Sequence, residues 1–128
     1  NFHKMTKKEL TKIYKEYNLT KEDIYQDRRG FVIITRSGIE KIQFNKNIKI
    51  EFDVVKCDKD NVVIKAMSYT KENDDWFKQI ETFGSATDKN CIQHFKVEIA
   101  EKRAKARCIV QTIGFTNTYS EDEIKHQP

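Results

Sequence analysis

Residues 93 to 114 form a segment whose apolar positions a single neighbour cannot bury. On a helical wheel of about 100° per residue, Val97, Ala100, Ala104 and Cys108 fall on one side. Phe95, Ile99, Ala106, Ile109, Val110 and Ile113 fall roughly opposite. A helix with one apolar stripe covers one layer, whereas a helix with two must be sandwiched. One face therefore covers a sheet, and the other buries against either the N-terminal helix or a second copy of the chain. Gly114 supplies the stop.

The sheet is legible upstream. Ile48, Ile50, Phe52 and Val54 alternate with Lys49, Glu51 and Asp53, the period of a half-buried antiparallel strand. Asp58-Lys59-Asp60-Asn61 makes a turn, and Val62 to Thr70 and Trp76 to Ser85 give two more strands joined through the polar stretch 71–75. Ahead of this meander, Thr6 and Glu9 form a capping box that opens a helix over 6–18, with Leu10, Ile13, Tyr14 and Tyr17 at helical spacing. Thr20 to Gln26 is compatible with a further helical turn, broken by Asp27-Arg28-Arg29-Gly30. Phe31 to Thr35 is a buried extra strand, and Ile39, Ile42 and Phe44 share a face over two turns of helix after Gly38. The fold class is α+β: a three-stranded antiparallel meander plus an extra strand, packed by a long C-terminal helix and an N-terminal helix, with a β-β-β-α core.

At 128 residues the chain is expected to be a single domain over 1–128, with 1–5 a tag remnant or loose N-terminus and 116–128 a loose acidic tail. One proline and four glycines favour long regular elements over a loop-rich scaffold. The apolar run Phe31 to Ile34 is far short of a membrane span, and no leader pattern is visible, so a cytoplasmic protein is expected. Cys57, Cys91 and Cys108 read as reduced thiols rather than a disulfide framework.

A net charge of +4 with pI near 8.9 permits an anionic partner, so the placement of the charges decides. On the C-terminal helix, Glu98 with Lys102 and Glu101 with Lys105 are compensated pairs four residues apart. Lys96, Arg103 and Arg107 lie within about 40° of one another with no acid on the same sector, a stripe about 16 Å long that can follow several phosphates. Arg28 and Arg29, and Lys65 with Lys71 and Lys78, are candidates to extend that surface, and Tyr69, Trp76 and Phe77 are candidates to stack on unpaired bases.

The connector Gly84-Ser85-Ala86-Thr87-Asp88-Lys89-Asn90 and the stretch Ile99-Ala100-Glu101-Lys102-Arg103-Ala104-Lys105-Ala106-Arg107 resemble a signature of the Rad-fifty-two-like single-strand annealing superfamily of phage and bacterial proteins. There, small residues end the third strand, a Thr/Ser-x-x-Asn connector follows, and the helix reads Met-Ala-Glu-x-Arg-Ala-x-x-Arg. Ile33 to Ile39 is similar to a Thr-x-x-Gly element ahead of the meander, and the likeness spans about residues 30 to 115. Ile99 stands where methionine is usual, and Arg107 matches after a one-residue slip. The resemblance implies a phage-type recombination and DNA repair protein that anneals strands without a cofactor and assembles side by side into rings or filaments. It would hold single-stranded DNA in a groove lined by Lys102 and Arg103, with Arg107 after the slip.

Two non-enzymatic readings compete: a double-stranded RNA-binding module, which the extra strand and helix at 31–44 disfavour, and an oligomeric scaffold that would tolerate loss of Arg103 and Arg107. An enzyme has little support. Cys91, His94 and Cys108 lack a second Cys-x-x-Cys pair for zinc and a base for a thiol nucleophile, so neither a metal nor a catalytic residue is expected.

Overall fold

In the computed structural model, which describes residues 6–91, 94–115 and 118–124, an α+β fold is built around the long helix. The hydroxyl of Thr6 caps α1 (Lys7–Glu16) by accepting the Glu9 amide at 3.2 Å, and Asn18 turns the chain off the helix with a left-handed φ of 54°. Of the helical turn expected at 20–26, a single turn closes, the Asp23 and Ile24 amides donating to the Thr20 carbonyl at 3.0 and 3.3 Å, and it goes no further. The Asp23 carboxylate takes the amide and hydroxyl of Thr20, closing a local turn that feeds β1 (Ile24–Gln26) instead. Strand β2 (Val32–Ile34) is buried as expected and pairs antiparallel with β1, and Thr35 caps α2 (Arg36–Asn45).

The meander consists of β3 (Lys49–Cys57), β4 (Asn61–Glu72) and β5 (Asp75–Thr87), in that spatial order. Asn73 and Asp74 both have positive φ, 51° and 69°, so the connection is a tight two-residue turn and most of the polar stretch 71–75 is strand. Helix α3 (Lys96–Thr112) then packs on the sheet. The tail, expected to be loose, is ordered over 118–124: β6 (Thr118–Ser120) pairs in parallel with β2, and α4 (Glu121–Ile124) follows. Ser120 and Glu123 form a reciprocal capping box, with the Glu123 amide donating to Ser120 Oγ at 3.2 Å and the Ser120 amide donating to Glu123 Oε2 at 2.8 Å. Residues 1–5, 92, 93, 116, 117 and 125–128, among them the expected helix start at 93, lie outside the described residues.

The sandwich expected of α3 is formed within the chain, but Ile99 sits on the sheet face rather than opposite it, and Phe95 and Val97 at the start of the helix are exposed. Ile99, Ala100, Ala104 and Cys108 join Val62, Ile64, Ala66 and Ala86 of the meander. Ala106, Ile109 and Val110 join Ile13, Tyr17, Ile24, Val32, Ile34, Ile39 and Ile42 of α1, α2, β1 and β2. The sheet contact is close because its residues are small: a Cβ on Gly84 would stand 2.3 Å from both the Ala100 oxygen and the Ala104 nitrogen. Thr82 Oγ1 donates to the Ala104 carbonyl at 2.9 Å, and the hydroxyls of Thr112 and Ser68 lie 2.7 Å apart.

Strand β3 departs from expectation. Its alternation holds, yet α3 lies over β4 and β5, so the residues on its helix side, Phe52 and Val54, are 37% and 64% exposed. A bulge at Val55 bends this edge strand. No described helix is long and apolar enough to cross a membrane.

Candidate nucleic-acid interface

The stripe of Lys96, Arg103 and Arg107 is present on α3, but it is not unpaired. Lys96 Nζ meets the Asp88 carboxylate at 3.0 Å. Arg107 donates through Nε to Glu123 Oε1 at 2.5 Å. Arg103 is buried at 6% exposure, where its guanidinium donates to the main-chain oxygens of Ser85 (2.9 Å), Asn90 (2.9 Å) and Asp122 (3.2 Å) and to Asn90 Oδ1 (3.1 Å). The expectation of a free basic stripe is therefore corrected: its neutralising groups come from the turn before α3 and from α4, which a wheel of α3 alone cannot show. The Thr-x-x-Asn connector belongs to the same lock. The Thr87 amide donates to Asn90 Oδ1 at 2.8 Å, the Asn90 amide donates to Thr87 Oγ1 at 3.3 Å, and Arg103 grips the box so formed.

The other sequence candidates separate. Arg28 and Arg29 sit on the β1–β2 turn, in the other sheet from Lys65. Arg29 is paired with Asp27 at 2.8 Å and lies over the Phe31 ring. Lys65 is compensated by Asp53 at 3.8 Å and Glu81 at 3.7 Å. Lys102 is half-buried in a cleft it shares with Arg36, Lys105 and Asp122. Phe77 pairs with Thr70 and points to the helix side of the sheet, away from Tyr69 and Trp76. Among the described residues no group of His, Cys, Asp and Glu could hold a metal ion, and Cys91 and Cys108 are buried.

What the register does bring together lies on the opposite face of the meander, away from α3. Lys49 stands beside Tyr69, Tyr69 beside Lys78, and Lys71 beside Trp76. Lys49 Nζ sits 4.9 Å from the ring centres of both Tyr69 and Trp76, and Lys71 Nζ sits 5.7 Å from Trp76. Glu51, hydrogen-bonded to the Tyr69 phenol, raises its pKa above the ordinary value. Toward the other end of this face, Lys65 and Lys78 are drawn onto Glu81. Two cations, Lys49 and Lys71, thus stay with aromatic rings rather than carboxylates. Residues 71–79 are exposed, so the hairpin end presents Trp76 to solvent. Lys49 was not a candidate from sequence, because only the pairing register shows that it faces Tyr69 and Trp76.

Comparison with family models, with curated proteins and with solved structures found no match for this chain.

Proposed function

We propose that the chain binds single-stranded DNA on the outer face of the β3–β4–β5 sheet and promotes strand annealing, in the cytoplasm of a bacterial or phage-infected cell. The observation behind this reading is the cluster of Lys49 and Lys71 around Tyr69 and Trp76, on a face that no described element covers. Rings on an open sheet offer stacking area to any unpaired base, and cations between them meet the phosphates that link successive bases. Duplex DNA keeps its bases stacked inside the helix and gains only the phosphate part. Bases held by one π-face keep their pairing edges free, so a complementary strand can anneal with pairing energy alone and no cofactor.

Side-by-side assembly of copies is part of this reading. Its support is β3, an edge strand with no described neighbour on its outer side, carrying Phe52, Val54 and Val55 at the surface. An oligomeric scaffold would use the same edge without needing the rings.

Trp76 is the only tryptophan of the chain, so its emission reports on the site directly. Titration with an oligo-dT strand of about 30 nucleotides, beside duplex DNA and duplex RNA, should quench Trp76 with the single strand, and added salt should weaken the binding. Unchanged emission with bound strand, or a preference for duplex RNA, would overturn the reading.

A further inference from the structure

The acidic turn α4 is held to the body in an unusual way. Of its four residues only Asp122 is buried, and its one apolar side chain, Ile124, is 38% exposed. Preceding β6, by contrast, is anchored by pairing with β2 and by burial of Thr118 and Ser120. The side chains of α4 that reach the body are carboxylates on arginines: Asp122 Oδ1 accepts from Arg36 of α2 at 3.2 Å, and Glu123 accepts from Arg107 of α3. These arginines stay partly exposed, at 44% and 24% of their side-chain surface. Lys102 and Lys105 line the cleft that Asp122 closes, with the carboxylates of Glu40 and Glu101 on the same wall, and Phe83, Ser85 and Arg107 line a second one beside Glu123.

From this geometry we infer a second, latent anion site on α2 and α3, with α4 as its internal occupant. Two neighbouring carboxylates bridge arginines of two helices, the arrangement in which successive phosphates of a polyanion would accept the same donors. A row of phosphate oxyanions, whether a nucleic-acid backbone or free polyphosphate, competes with Asp122 and Glu123. It swings α4 out about the Ser120 tether and takes Arg36 and Arg107, with Lys102 and Lys105 at the rim. Arg103 keeps its bonds to Ser85 and Asn90 and remains a structural post. Ion pairs and the bond from Arg103 Nε to the Asp122 carbonyl, rather than apolar burial, hold α4, so the exchange breaks these contacts but needs no unfolding of β6.

The site is separable from the sheet face by a ligand without bases. Binding of inorganic tripolyphosphate and of oligo-dT is measured by calorimetry on the wild type, on Asp122→Asn/Glu123→Gln, on that variant with Arg107→Ala added, and on Trp76→Ala. The neutralised variant should bind tripolyphosphate about tenfold more tightly, and Arg107→Ala should remove the gain. Trp76→Ala should leave tripolyphosphate binding untouched whatever it does to oligo-dT, so failure of the sheet-face reading is distinguishable from failure of this one. Hydrogen exchange of the Asp122 to Ile124 amides in the wild type is the second measurement, free of any folding defect in the variants, and it should quicken on adding tripolyphosphate. Unchanged affinity in the folded neutralised variant, a gain that survives Arg107→Ala, or exchange indifferent to the anion would overturn the inference.

Discussion

The two faces of the β3–β4–β5 sheet differ in what their closest contacts are made of. Beneath α3 lie Val62, Ile64, Ala66, Thr82, Gly84 and Ala86, all buried and none of them aromatic. On the opposite face lie Tyr69, Trp76 and Phe83, with Phe83 58% exposed. Apolar burial normally draws the largest side chains inward. Here the inner face is governed by how closely the helix backbone approaches, since Ala100 and Ala104 sit directly on Gly84. Rings kept in water beside cations on the outer face have no packing role that explains them, and a ligand with flat apolar surfaces and negative charge gives them one.

The largest effect should come from breaking the close approach. Gly84→Val pushes a branched side chain into the α3 backbone and should destabilise the protein by about 3 kcal/mol or more, read as a fall in melting temperature. A variant that melts like the wild type would show that the inner face is not tightly packed. Arg103→Met should follow closely, because it leaves the buried oxygens of Ser85, Asn90 and Asp122 without a donor, a loss of about 3 kcal/mol in denaturant titration. The folded fraction should still bind oligo-dT as before, which separates support from contact.

Asp23 gives a control remote from both faces. Burial alone would raise its carboxyl pKa, but hydrogen bonds from Lys41, Ser37 and Thr20 outweigh it and hold it at about 2. A folded-state pKa below that of the unfolded chain contributes stability at neutral pH, which is lost as pH falls from about 4 through about 2. Asp23→Asn should therefore cost about 2 kcal/mol at pH 7 and nothing near pH 1.5, with strand binding by the folded protein unaltered throughout. On the outer face, Trp76→Ala should weaken oligo-dT binding about tenfold while moving the melting temperature little, since the ring is 38% exposed. Smallest of all, Lys65→Ala should change affinity by less than about twofold, because Asp53 and Glu81 already compensate that charge. An effect at Lys65 as large as that at Trp76 would move the binding surface along the strand.

Periodicity made α1, β2, α2, the meander and α3 legible, and the twin apolar faces of α3 foretold two layers around it. Alternation in β3 shows which residues share a side but not whether anything covers that side, so Phe52 and Val54 read as the buried side of a half-buried strand. The α3 stripe was misread for a related reason. Its partners lie outside the helix, Asp88 before it and Glu123 beyond it, and a wheel compares a charge only with its own helix. One missed signal was in plain view: Ser120-Glu121-Asp122-Glu123 has the same capping-box pattern that located α1. The meeting of Lys49 with Tyr69 and Trp76 was out of reach, because it depends on a three-strand register and on the bulge near Ser68.

The parallel pairing of β2 with β6 has a consequence in time. Val32 and its neighbours form early in synthesis, yet their partners Thr118 to Ser120 come about two thirds of the chain later. Until then β2 has one free edge, although α1, α2 and the meander can already form from local contacts. The layer beneath α3 is thus completed last. Shortening the chain before residue 120 should leave a folded-looking meander on an unfinished base, exposing the β2 edge to other nascent chains.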